Sequence, residues 1–264
     1  MENTRYIIIF TLVMTSAVAL MLAGLFYATE TKAKQNEAIF NKRAVLKAVE
    51  TYLDKSVDDM GDDEVLSLFE KQVQQKVLNM NGEEVDAAAV EAAGHKGGMA
   101  ENIDMAKEKK KPEADRLLPL FTFNYENGSI QIVSVRGNGL WDEIWGNIAI
   151  ELNSKTKGTV VGAAFDHKAE TPGLGAEIKD NPSFRAKFKN KRLYNDDGEY
   201  VSVKVEKGGA KDEAHGVDVI SGATVTSVGV GEMLYRGIKY YEPYFNQEMG
   251  ASKGDMQGML IKEN

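Results

Sequence analysis

The chain has 264 residues, and its 40 Asp and Glu residues outnumber its 32 Lys and Arg residues, which gives a formal net charge of −8. This length predicts roughly one or two domains. Because phosphate backbones are bound by clustered positive charge, the acidic balance disfavours a nucleic-acid partner. The sequence has no cysteine, which excludes disulfides, thiolate metal sites and cysteine nucleophiles. The three histidines, His95, His167 and His215, are too far apart for a local metal motif, so we expect no metal site and assign any redox chemistry to a bound cofactor.

An uncharged segment of 22 residues lies near the N-terminus, from Tyr6 to Tyr27. As a helix it would be about 33 Å long, enough to cross a hydrocarbon core of roughly 30 Å. A cleaved signal peptide is the alternative, but its apolar stretch is usually shorter. We therefore expect a retained anchor over residues 1–30. The basic residues at 32–43 outnumber Arg5 before the span, so the positive-inside rule alone would place the following domain in the cytoplasm.

Residues 31–115 are predicted to form a helical stalk followed by an insertion. Apolar residues recur every three to four positions in 39–53 and again in 64–78, which predicts two helices. From 81 to 115 the sequence carries Ala and Glu runs, the string GHKGG and the basic string KEKKKP. This composition favours a loop-rich insertion, with the basic run as solvated loop.

The pattern changes to period two after Leu117, which predicts strands. Asn127-Gly128 predicts a type I′ hairpin turn. Further strands are expected at 147–152, 158–165 and 200–205, and a short helix over 181–191 with Asn181 as its cap. A long helix is expected from Ser227 to Phe245. The predicted class is α+β, an antiparallel sheet flanked by helices, carried on one transmembrane helix.

The string DVISGATVTS, residues 218–227, precedes this last helix and concentrates small and hydroxyl side chains at its start. The free N–H groups and the dipole of a helix N-terminus favour an anion such as phosphate. The alternative is a Ser/Thr helix cap that binds no ligand.

The same string, Asp218 to Thr224, resembles the flavinylation motif of the FMN-binding domain family. In that family the last Thr of SGAT carries FMN through a phosphoester bond, and that position here is Thr224. HKAETPGLGAEI, residues 167–178, resembles the family's HxETPGLG loop, and GNGLWDEIWG, residues 137–146, resembles its glycine-rich strand end. Three motifs in the same order point to an FMN-binding domain over residues 116–264.

The resemblance and the residue types together give a set of expected FMN contacts. Glu170 and Thr171 have side chains that can hydrogen-bond the flavin, the glycines of the two loops allow close approach to a planar ring, and Leu174 can pack on its face. Plain surface turns and a strand-end bulge are the alternatives, and Trp141 and Trp145 are expected to be packing residues. The expected cofactor-binding residues are Thr224, Asp218, Ser221, Gly222, Ala223, Thr226, Ser227, Glu170, Thr171, Gly173, Leu174, Gly175, Gly139 and Leu140.

Over its whole length the chain resembles the C-subunit family of sodium-translocating NADH:quinone oxidoreductases. The region between anchor and sheet favours this family over the shorter G subunits of Rnf-type ferredoxin:NAD oxidoreductases. The resemblance implies one-electron carriage by covalent FMN, from an iron–sulfur centre to the FMN of the B subunit, within a complex that also contains subunits A, D, E and F. It also implies maturation by an FAD-dependent flavin transferase and a place in the bacterial inner membrane with the flavin domain extracytoplasmic.

Two other interpretations of the chain stay open at this point. One is a membrane-tethered scaffold or binding protein whose SGAT string is only a helix cap. The other is an anchored flavoprotein that faces the cytoplasm. The sequence has no dinucleotide fingerprint, and one uncharged helix offers no ion path, so NADH oxidation and sodium passage are expected elsewhere in the complex.

Overall fold

The structure, a computed structural model, describes residues 2–153 and 155–250, and contacts divide the chain into two compact units between Asn41 and Lys42. Helix α1, Glu2–Lys47, supplies the whole described part of the first unit. Within the described residues it is the one helix long and apolar enough to cross a membrane. Hydroxyls inside it, such as that of Thr11, donate to carbonyls one turn back, so they need no water. These features agree with the predicted anchor.

The second unit is built on a six-stranded antiparallel sheet whose strands are adjacent in chain order. Aliphatic and aromatic side chains alternate into its core, among them Phe123, Ile132 and Ile148, all nearly inaccessible to solvent. The strands are β1 (Val73–Leu78), β2 (Leu118–Tyr125), β3 (Gly128–Asn138), β4 (Glu143–Glu151), β5 (Thr159–His167) and β6 (Lys191–Arg192). The predicted α+β class is confirmed.

Helices cover this sheet, and a small parallel pair of strands lies beside the last of them. The helices are α2 (Asp62–Gln72), α3 (Ala87–Ala92), α4 (Met105–Glu108), α5 (Glu177–Asp180), α6 (Pro182–Ala186) and α7 (Thr224–Lys239), and the parallel strands are β7 (Lys204–Glu206) and β8 (Gly216–Asp218). Helix α7 packs closely on β3, where a Cβ on Gly137 would collide with Met233 and one on Gly237 with Val135. The helix start is thereby held at one end of β3.

Several local predictions need correction. Residues 73–78, predicted helical, form the edge strand β1, where Val73 pairs with Phe123; a short apolar pattern of this kind fits either element until a partner strand is present. The β2–β3 hairpin exists, but its turn is Glu126-Asn127, and no residue of it has the positive φ of a type I′ turn. The strand expected over 200–205 forms only at its end, as β7, and the last long helix, expected from Ser227 to Phe245, runs from Thr224 to Lys239.

The insertion at 81–115 is held by a buried ion cluster. Glu108 is only 2% exposed, and it accepts a hydrogen bond from the Leu117 backbone N–H (2.8 Å) and pairs with Lys111 (2.7 Å). His95 Nε2 lies 2.6 Å from Glu108 Oε1, while His95 Nδ1 accepts from the backbone N–H of Asp104. Lys111 belongs to the basic run predicted to be solvated loop, so that prediction is wrong for this residue.

Candidate functional site: the start of helix α7

The first turn of α7 leaves backbone donors unused. The first helical hydrogen bond runs from Ser227 N to Ala223 O at 2.9 Å, and Ala223, the N-cap residue, provides no side-chain cap. Within the described residues, the backbone N–H groups of Thr224, Val225 and Thr226 therefore have no protein acceptor. Free donors at the positive end of a 16-residue helix form a suitable environment for a phosphate ester. The Ser/Thr cap considered as an alternative is not formed.

The three hydroxyls of this turn have different surroundings. Ser227 is completely buried, and its Oγ accepts a hydrogen bond from Ile220 N at 3.0 Å. Thr226 is 1% exposed and donates to Glu170 Oε2 at 2.7 Å. Thr224 is half-buried, and its hydroxyl makes no hydrogen bond within the described part of the chain. Of the three, Thr224 is the hydroxyl that a reagent can approach from solvent.

Glu170 connects this turn to two loops. Its carboxylate is almost fully buried, and Oε1 accepts from the backbone N–H groups of Trp141 (2.9 Å) and Asp142 (3.4 Å), in the loop between β3 and β4. Its own N–H donates to His167 Nδ1 at 3.2 Å. Burial alone would raise the pKa of Glu170, but the hydrogen bonds that the carboxylate accepts outweigh burial and hold the pKa below its usual value. The side chain is therefore an acceptor on both oxygens at neutral pH.

The loop glycines are explained in part by this carboxylate. A Cβ on Gly139 or on Gly175 would collide with Glu170, so both positions exclude a side chain. Gly173 has open space around it but a φ of 73°, so it is required by the backbone conformation of its turn. From the sequence, Gly139 and Gly175 were expected to allow close approach of a flavin ring. In this structure the group that lies close to both glycines is the carboxylate of Glu170.

Exposed apolar side chains lie on all three segments that Glu170 joins. They are Leu140, Trp141, Leu174, Val225 and Val228, which we call the apolar patch. Leu174 reaches the SGAT string, because a Cβ on Gly222 would lie 3.1 Å from Leu174 Cδ2. Trp141 is 69% exposed, so its predicted packing role is wrong, whereas Trp145 lies under the guanidinium of Arg136. Val225 and Val228 were not predicted as site residues. The only feature that could have indicated them is that each is an apolar residue on the solvent side of α7.

The remaining predicted residues line the approach to the turn. Ser221 and Gly222 are exposed and Ala223 is buried beneath them, while Thr171 lies on the exposed side of the 167–176 loop. Asp218 ends β8, and its Oδ1 atom is buried without a hydrogen-bond partner in the described residues. The structure thus brings the SGAT string, the ETPGLG loop and the strand-end loop together. Together these segments present unpaired backbone N–H groups, the Thr224 hydroxyl and the apolar patch.

The fold and this site define an FMN-binding domain. The FMN-binding domain family matches residues 139–239, a range that contains the ETPGLG loop and the SGAT string. The C subunit of the Na(+)-translocating NADH-quinone reductase of Neisseria meningitidis serogroup A is 30% identical over 259 residues, which cover 91% of this chain and 94% of that one.

Two solved structures are also similar. The crystal structure of the C subunit of the same enzyme from Parabacteroides distasonis is 30% identical with a TM-score of 0.67, covering 82% of this chain and 96% of that one. Shewanella oneidensis NqrC is 26% identical with a TM-score of 0.61, covering 80% and 98%. The chain belongs to the family of C subunits of the Na(+)-translocating NADH-quinone reductase, an oxidoreductase complex, which confirms the resemblance found in the sequence.

Proposed function

We propose that the chain is the membrane-anchored electron-transfer subunit of its complex and carries FMN covalently on Thr224. The observation that carries the proposal is a solvent-accessible hydroxyl at an uncapped helix start, within three converging family motifs. FMN bound there would supply one-electron chemistry. The free N–H groups of the first turn would hold its phosphate, and the apolar patch would contact its ring.

We infer that attachment needs an outside enzyme, because within the described residues the Thr224 hydroxyl makes no hydrogen bond to a group that could act as its base. His215, the nearest histidine in sequence, has both ring nitrogens engaged, one with Asp212 (2.7 Å) and one with the Tyr194 carbonyl (3.1 Å). We assign the step to an FAD-dependent flavin transferase. The Thr224 oxygen forms the phosphoester bond, the pyrophosphate bond of FAD breaks, AMP leaves, and the hydroxyl proton passes to the transferase or to water. Asp218, Ser221, Gly222 and Ala223 would be read by that enzyme.

The predicted route and partners complete the proposal. Electrons arrive from an iron–sulfur centre in the membrane and leave to the FMN of the B subunit, with subunits A, D, E and F in the same complex. Residues 1–30 anchor the chain in the bacterial inner membrane, 31–115 form the stalk and insertion, and 116–264 form the FMN-binding domain, whose residues 251–264 lie outside the described residues. The tether keeps the flavin near its partners at high effective concentration.

Replacing Thr224 tests the covalent attachment. Thr224→Val removes the hydroxyl and keeps the side-chain volume, so we expect a folded protein without the flavin adduct. Intact-mass analysis and flavin fluorescence in denaturing gels measure the result. Thr226→Ala, which removes another hydroxyl of the same turn, serves as the control and should keep the adduct. A Thr224→Val protein that still carries FMN would contradict the assignment.

The side of the membrane is tested with reporters fused at Asn264. We expect activity from a reporter that works only outside the cytoplasm, although the basic residues at 32–43 favour the opposite orientation. Signal from a cytoplasmic reporter alone would support the cytoplasm-facing flavoprotein instead.

A further inference from the structure

Three separate segments meet at the carboxylate of Glu170. The side chain belongs to the 167–176 loop, and it accepts backbone hydrogen bonds from Trp141 and Asp142 in the β3–β4 loop. Its second oxygen accepts the hydroxyl of Thr226 on α7, two residues after Thr224. Each of these segments also carries part of the apolar patch. One buried side chain therefore connects the three segments that carry the patch.

The chemistry of the contacts requires a carboxylate. An ionised carboxylate donates nothing and has lone pairs on both oxygens, so it can accept two N–H groups on one side and an O–H on the other. Glutamine keeps one acceptor oxygen, but its amide nitrogen would face the Thr226 hydroxyl, which then needs another acceptor. Gly139 and Gly175 lie so close to Glu170 that any side chain at either position would displace its carboxylate.

We propose that Glu170 is a positioning residue that fixes the β3–β4 loop, the 167–176 loop and the start of α7 in one arrangement, so that an FMN on Thr224 is held against the apolar patch. The inference rests on the proposed function. Glu170 acts through Thr226 and the two backbone donors, since its carboxylate is only slightly exposed and is already occupied on both oxygens.

The test measures how freely the flavin moves once attached. Full-length protein in detergent is prepared as wild type, Glu170→Gln, Thr226→Val and the double variant, and intact mass records the adduct on Thr224 in each. Time-resolved fluorescence anisotropy then separates the fast motion of the flavin from tumbling of the protein. We expect every variant to carry FMN, and the fast component to grow at least twofold in each single variant.

Two controls and the double variant decide the outcome. Thr226→Ser keeps the donated hydrogen bond and should restore wild-type anisotropy, and Glu177→Gln removes a charge in the adjoining helix without touching Thr226. If Glu170 acts through Thr226, the double variant should show no more motion than a single variant. Unchanged anisotropy in both single variants, or additive effects in the double variant, would overturn the inference. A wild-type protein that is produced together with the flavin transferase and still lacks the adduct would refute the proposed function instead.

Discussion

Two buried carboxylates, Glu108 in the insertion and Glu170 beside the start of helix α7, accept hydrogen bonds from different kinds of partner. Each accepts a backbone N–H, and each has a pKa held below its usual value because the hydrogen bonds it accepts outweigh the opposing effect of burial. Glu108 is paired with Lys111 and His95 and faces the interior of the insertion. Glu170 is bound by neutral donors and lies beneath exposed apolar side chains.

This difference in hydrogen-bond partners predicts that one carboxylate matters more for stability and the other more for function. Removing the acceptor of a buried cluster is costly, because the buried His95 loses its hydrogen-bond partner and the partly exposed Lys111 loses its counter-charge. Replacing the acceptor of neutral donors costs less free energy than replacing the partner of a charge. The donors are then held less firmly in position. We therefore expect Glu108 to matter most for the folded state, and Glu170 to matter most for the order of the site.

Removing Glu108 should have the larger effect on stability. Glu108→Ala leaves Lys111 and His95 without their acceptor, which should cost about 2 kcal/mol of unfolding free energy. In a domain of this size such a loss lowers Tm by roughly 4 to 8 °C. Differential scanning calorimetry measures the change, and intact mass records whether the proposed FMN adduct is kept.

Asp115→Ala is the matched control, because Asp115 is an exposed carboxylate of the same insertion without a side-chain partner in the described residues. It should change Tm by no more than about 1 to 2 °C, which corresponds to about 0.5 kcal/mol. Equal losses in the two variants would show that the ion cluster has no special part in holding the insertion.

The two carboxylates also show what the sequence could reveal. Thr224, the ETPGLG loop and the strand-end loop were found because each is a local string. The contact between His95 and Glu108 joins GHKGG to KEKKKP, and neither string indicates a buried partner. Strand β1 was missed for a related reason, since Val73 to Leu78 become a strand only by pairing with β2. The role of Glu170 was partly visible, because its importance was predicted but its protein partners were not.

The smallest effect we expect is a pH dependence that Glu170 contributes to stability. Because its folded pKa lies below the unfolded value, the carboxylate stabilises the fold fully above the unfolded pKa, about 4.3, and the contribution disappears as the pH falls through the folded pKa.

His167 and Asp142, the titratable residues beside Glu170, are kept unchanged in the experiment. Tm measured from about pH 7 to about pH 3 in a Thr224→Val background, which removes the proposed site of FMN attachment, compares Glu170 with Glu170→Gln. The Tm difference between the two should be constant above about pH 5 and should shrink below about pH 4. Parallel curves over the whole range would show that Glu170 is not held ionised by the contacts described here.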